Sequence, residues 1–108
     1  MIRIDIATEF SDTPAGRFPD DGPFNGEFFR KKFLVPALKS GDLVEVSMDG
    51  TEGFGSSFLD EAFGGLVRDE GFTREYVEQH LTLIANLKRT ARYKRLAETY
   101  IRDAVPSK

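Results

Sequence analysis

Three short apolar runs, Ile2-Arg3-Ile4-Asp5-Ile6, Leu43-Val44-Glu45-Val46-Ser47-Met48 and Leu81-Thr82-Leu83-Ile84-Ala85, are separated by stretches whose apolar residues recur at helical spacing. This alternation restricts the fold more than any other feature of the chain. Strands joined through helices need crossover connections, which are right-handed and set neighbouring strands parallel. The first run has the period-two pattern of a strand with one buried face. The expected class is α/β, a small mainly parallel or mixed sheet with helices packed on it, in the order β-α-β-α-(short α)-β-α. At 108 residues the chain is long enough for one core and one domain, residues 1–108.

Asn25 is placed to cap a helix from Gly26 to about Lys39, with Phe29, Phe33 and Ala37 on its buried stripe. Pro36 lies inside that helix and should kink it or restart its last turn, because it lacks an N–H and crowds the preceding turn. A second helix should run from Ser57 to about Arg68, with Ser57-x-x-Asp60 as a capping box. Gly64 and Gly65 in its middle point to close packing against the sheet or a partner, since each costs about 1 kcal/mol relative to Ala. Thr73 should cap a short helix over Phe72 to Gln79, and Asn86 a long final helix from Leu87 to about Ala104, ahead of a Pro106-Ser107-Lys108 tail. Between Ser11 and Pro23, three prolines and two glycines mark a long loop that Phe10, Phe18 and Phe24 can pin to the core.

The chain has no Cys, which excludes disulfides and thiolate metal sites and favours a reducing cytoplasm. Its N-terminus alternates charged and apolar residues where a signal peptide needs an unbroken apolar run, and no stretch reaches membrane-spanning length. A cytoplasmic protein without membrane attachment is expected. The net charge of −3 conceals an asymmetry, because Lys88, Arg89, Arg92, Lys94 and Arg95 follow one another with no acid between them and the other residues carry −8. An acidic body argues against nucleic acid as a partner. On the final helix Tyr93, Ala97, Tyr100, Ile101 and Ala104 share one face, and Lys88, Arg92, Arg95, Thr99 and Arg102 lie opposite.

Catalytic groups are scarce. His80 is the single histidine, there is no Gly-x-Ser-x-Gly turn, and strand-end packing is its simplest role. Asp60 and Glu61 are adjacent on a helix, so they point about 100° apart and do not form an acid/base pair. No spaced set of His or carboxylates suits a metal, and no cofactor is expected. The turn Gly53-Phe54-Gly55-Ser56-Ser57 follows a strand and opens a helix, where free N–H groups favour an anion. No Lys follows it as in a nucleotide-binding P-loop. Arg17, isolated among Pro, Gly and Asp, either anchors its loop to a carboxylate or reaches toward an anion near Ser56.

Met48 to Ser57 resembles the strand-to-helix turn of STAS domains, named for sulfate transporters and anti-sigma-factor antagonists. The run Ser56-Ser57-Phe58-Leu59-Asp60-Glu61-Ala62-Phe63-Gly64-Gly65-Leu66, with Gly16-Arg17 and Gly22-Pro23-Phe24-Asn25-Gly26-Glu27 before it, resembles more closely the STAS-like family of unknown function. The likeness extends in order over residues 1–104. In the antagonists the first serine of the pair is phosphorylated by a histidine-kinase-like ATPase, which by position implies Ser56 here. Gly55 stands where that pattern has Asp, and Phe58 where it has Gly, so the surface offered to a kinase differs. The resemblance also implies an ATPase of that type as partner.

Two functions follow as expectations. The first is a non-enzymatic regulatory module that binds a protein through Gly53, Gly55, Ser56, Ser57 and Asp60, with Arg17 nearby. The second is a sensor of a nucleotide or small anion at the same turn.

Overall fold

The computed structural model describes residues 1–107; Lys108, the last residue of the expected tail, lies outside the described residues. Strands β1 (Ile2–Asp5), β2 (Val44–Ser47) and β3 (Leu81–Ile84) form one sheet in the order β1-β2-β3, parallel throughout. The register aligns Ile4, Val46 and Leu83 across the sheet, and all three are buried. The intervening row of Arg3, Glu45 and Thr82 is exposed or half-buried, with Arg3 Nη1 donating to Glu45 Oε1 at 3.2 Å. The sheet thus has one apolar face for the helices and one polar face, the alternation visible in its first strand.

A helical turn absent from the sequence reading, α1 (Ile6–Glu9), follows β1 directly, because Asp5 Oδ1 accepts the Ala7 amide as a cap. It swings Phe10 into an aromatic cluster, 5.0 Å from Phe29, 5.6 Å from Phe33 and 6.2 Å from Phe58 between ring centroids. Phe24 meets Phe10 edge-on at 5.6 Å and pins the end of the long loop, whereas Phe18 remains exposed. Tilted and edge-on rings at these distances add to burial the attraction between ring edges and faces.

Helix α2 spans 26–39 as three continuous pieces, Gly26–Phe29, Arg30–Leu34 and Val35–Lys39, the middle one a π turn. Asn25 caps it as expected, its Oδ1 accepting the Phe28 amide at 2.9 Å. Pro36 does not end the helix. The Val35 amide reaches back five residues to the Arg30 carbonyl, and the widened turn admits a residue with no N–H of its own. Helix α3 spans 56–68 with the same construction, Ser56–Leu59, a π turn Asp60–Gly64, and Gly65–Arg68. Helix α4 (Arg74–His80) is capped by Thr73, whose Oγ1 accepts the Tyr76 amide, and α5 (Lys88–Asp103) crosses over α3. The tail is tied to α3, with the Ser107 amide donating to the Arg68 carbonyl at 3.0 Å. Among the described residues no helix is long and apolar enough to cross a membrane.

Two expected caps are replaced. Helix α3 starts one residue earlier than expected, with Gly55 in the extended cap position and no side-chain bond to the first turn. Phe58 and Leu59 are both fully buried, and seating them in the core fixes a register in which Ser57 stands past the cap. At α5 the cap position is Leu87, and Asp49 takes the part expected of Asn86. The Asp49 carboxylate accepts the amides of Asn86 at 2.9 Å and Leu87 at 3.2 Å, and the Thr90 hydroxyl at 2.6 Å. A carboxylate from the loop after β2 outcompetes the local amide because it brings full charge to the positive helix end.

Candidate functional site

The turn after β2 is exposed at Gly55, Ser56 and Ser57 and anchored just before and after them. Phe54 and Phe58 are buried on either side, 5.9 Å apart, and Phe54 meets Tyr93 of α5 edge-on at 5.5 Å. Gly53, at φ 153°, lies against Tyr93, whose hydroxyl is 3.2 Å from where a Cβ on Gly53 would stand. The Ser56 and Ser57 side chains make no cap bond, so among the described residues both hydroxyls project freely from a rigid helix start.

Arg17 is placed by its loop. The Glu27 amide donates to the Arg17 carbonyl and the Gly26 amide to the Gly16 carbonyl, both at 2.9 Å, which lays the loop along the start of α2. Its guanidinium donates to Asp60 Oδ2 at 2.7 Å and lies 3.6 Å from Glu61. Of the two roles expected for Arg17, anchoring its loop to a carboxylate is the one formed. The hydrogen bond to Asp60 and the neighbouring acids hold Arg17 above its ordinary pKa.

Behind this pair is a charged centre that the sequence reading missed. Arg30, only 2% exposed, donates to Glu61 Oε2 and Glu70 Oε2, each at 2.8 Å, and also to the Glu61 carbonyl. Burial pushes the Arg30 pKa down, but bonds to Glu61 and Glu70 outweigh it and the pKa rises. Arg68 approaches Asp60 at 3.3 Å and Glu61 at 3.7 Å. Asp60 and Glu61 therefore each face arginines and not one another. The two π turns meet at this point, Arg30 opening one and Glu61 lying in the other. Gly64 and Gly65 find their use here: a Cβ on Gly65 would collide with the Arg30 guanidinium, and one on Gly64 would stand 3.4 Å from the Tyr100 carbonyl of α5. The close packing of these glycines is against helices of the same chain and not, as expected, against the sheet or a partner. The spacing of Arg30, four residues from both Gly26 and Leu34, puts it on the buried side of α2, but nothing local in the sequence marks its partners on α3 and just beyond it.

His80 stacks on Tyr76 at 3.9 Å between centroids, with Nδ1 2.9 Å from the Tyr76 carbonyl, and sits at the junction of α4 and β3. The structure thus brings Gly53, Gly55, Ser56 and Ser57 together at one exposed turn, with Asp60 one turn further along α3 and Arg17 fastened to it.

A model of the family described as STAS-like domain of unknown function (DUF4325) matches residues 25–88, and the chain belongs to that family. The match contains all of α2, β2, α3 and the exposed turn. No curated protein and no solved structure matches the chain.

Proposed function

We propose that this member of the STAS-like family is a non-enzymatic regulatory module that binds another protein through the Gly53–Ser57 turn and the start of α3. Phosphorylation of Ser56 releases that partner, and the partner is a histidine-kinase-like ATPase. The observation that carries the reading is the pair of free hydroxyls. Ser56 and Ser57 are exposed and make no cap bond, on a turn held by buried Phe54 and Phe58. Residues kept only for capping would be spent on the helix; these are available to a partner.

A phosphate on Ser56 brings close to two negative charges to the N–H groups of the first turn. Asp60, four residues on and so on the same face, opposes it by like charge. Asp60 is already paired with Arg17 and Arg68, so both effects stay small within the domain. The modification then acts outward, by altering what the turn presents. An anion-sensor reading has less support, because the Tyr93 hydroxyl occupies the space beside Gly53.

The test is copurification of the full chain from its native cells, followed by incubation with the captured ATPase and ATP. The reading predicts one added phosphate by intact mass, absent from Ser56→Ala. Phosphate appearing equally on Ser56→Ala removes Ser56 as the site.

A further inference from the structure

A run of five cations with no acid between them borders this turn through Arg92 and Tyr93. Lys88, Arg89, Arg92, Lys94 and Arg95 occupy the first half of α5, exposed or half-buried, and among the described residues none of the five forms an ion pair. The loop from Asp49 to Phe54 lies along these turns, held by Asp49 at the start of α5 and by Phe54 and Gly53 against Tyr93. Arg92 is fixed at the same place. It donates to the Tyr93 hydroxyl at 2.8 Å and lies 4.7 Å above that ring, so a cation stands in a set position next to the turn.

We infer that the first half of α5 and the Ser56 turn form one docking face, and that its occupant is an acidic segment of a protein partner. This rests on the reading of the Ser56 turn as the partner surface and names the chemistry of what binds there. Charge complementarity selects the occupant: Lys88, Arg89, Arg92 and Arg95 share one side of α5, none of them in an ion pair among the described residues, on a chain of net charge −3. A short acidic segment matches the roughly 10 Å that the stripe spans along the helix axis, whereas a longer polyanion would run on past it. Arg92, already ordered by Tyr93, lowers the cost of immobilising its side chain on binding. A phosphate on Ser56 adds negative charge at the edge of the face and repels such an occupant.

The test is fluorescence anisotropy of the full chain with a fluorescein-labelled peptide of four glutamates, at low and at physiological salt. The proposal predicts binding that weakens with salt and falls about tenfold or more, about 1.4 kcal/mol, in Lys88→Gln/Arg92→Gln. Ser56→Asp weakens it as well, and Lys31→Gln/Lys32→Gln, which removes equal charge from exposed positions on α2, leaves it unchanged. Absence of binding overturns the proposal, as do equal losses in the two double variants, full binding by Ser56→Asp, or tighter binding of a single-stranded oligonucleotide of the same charge. If the captured ATPase ignores Lys88→Gln/Arg92→Gln but responds to changes at Ser56, the partner reading stands and the acidic docking face does not.

Discussion

A Cβ placed on Gly65 would collide with Nη1 of Arg30. The glycine exists to admit the guanidinium, and through it the buried contacts with Glu61 and Glu70 that join α2 to α3. Gly65→Ala should therefore destabilise the domain by about 1–3 kcal/mol, as overpacking does. Arg30→Leu should cost more, about 3–5 kcal/mol, because it takes the nearest cation from the buried Glu61 carboxylate. Urea unfolding checks both. A Gly65→Ala protein as stable as wild type would show that Arg30 has room to move.

The strands, Asn25, Thr73 and the aromatic stripe of α2 were legible in the residues because each acts locally, through period or through a bond to its own helix. Arg30 was not, since its partners lie on α3 and just beyond it, some 30 to 40 residues away. Asp49 hid for the same reason: its cap is made to a helix that starts far along the chain. Ser57 was misread because the capping-box spacing is present, but burial of Phe58 decides the register. The π turns leave no local mark beyond Pro36 and the paired glycines.

Capping separates two similar residues. Thr73→Ala removes a bond to the Tyr76 amide and should cost about 1 kcal/mol. Ser57→Ala removes none and should change stability by less than about 0.5 kcal/mol. Thermal melts of the two variants compare them directly, and equal losses would restore Ser57 as a cap.

Asp49 links stability to pH. Burial pushes its carboxyl up, but the Thr90 hydroxyl, the Asn86 and Leu87 amides and the charge of Arg89 outweigh this and hold it below the ordinary carboxylate value. A carboxyl depressed in the folded state stabilises above its unfolded pKa, about 3.9, and that contribution is lost as pH falls through the folded value. Asp49→Asn should lose about 1 kcal/mol at neutral pH and show a shallower loss of stability on acidification. A parallel acid profile would assign the dependence to other groups.

Arg17 holds its loop by a part-exposed pair, so Arg17→Gln should cost less than about 1 kcal/mol. The effect should concentrate locally. Amide exchange should quicken between Ser11 and Pro23 while the β-strand amides keep their protection, because backbone bonds from Gly26 and Glu27 still hold the base of the loop. Uniform quickening across the domain would contradict a local clasp.

The central claim is that a phosphate on Ser56 controls partner binding. Its most direct test is the affinity of the captured ATPase for the full chain carrying phosphoserine at position 56, set against the unmodified chain. The account predicts binding at least about tenfold weaker for the phosphorylated chain, about 1.4 kcal/mol. Equal affinity of the two would contradict it.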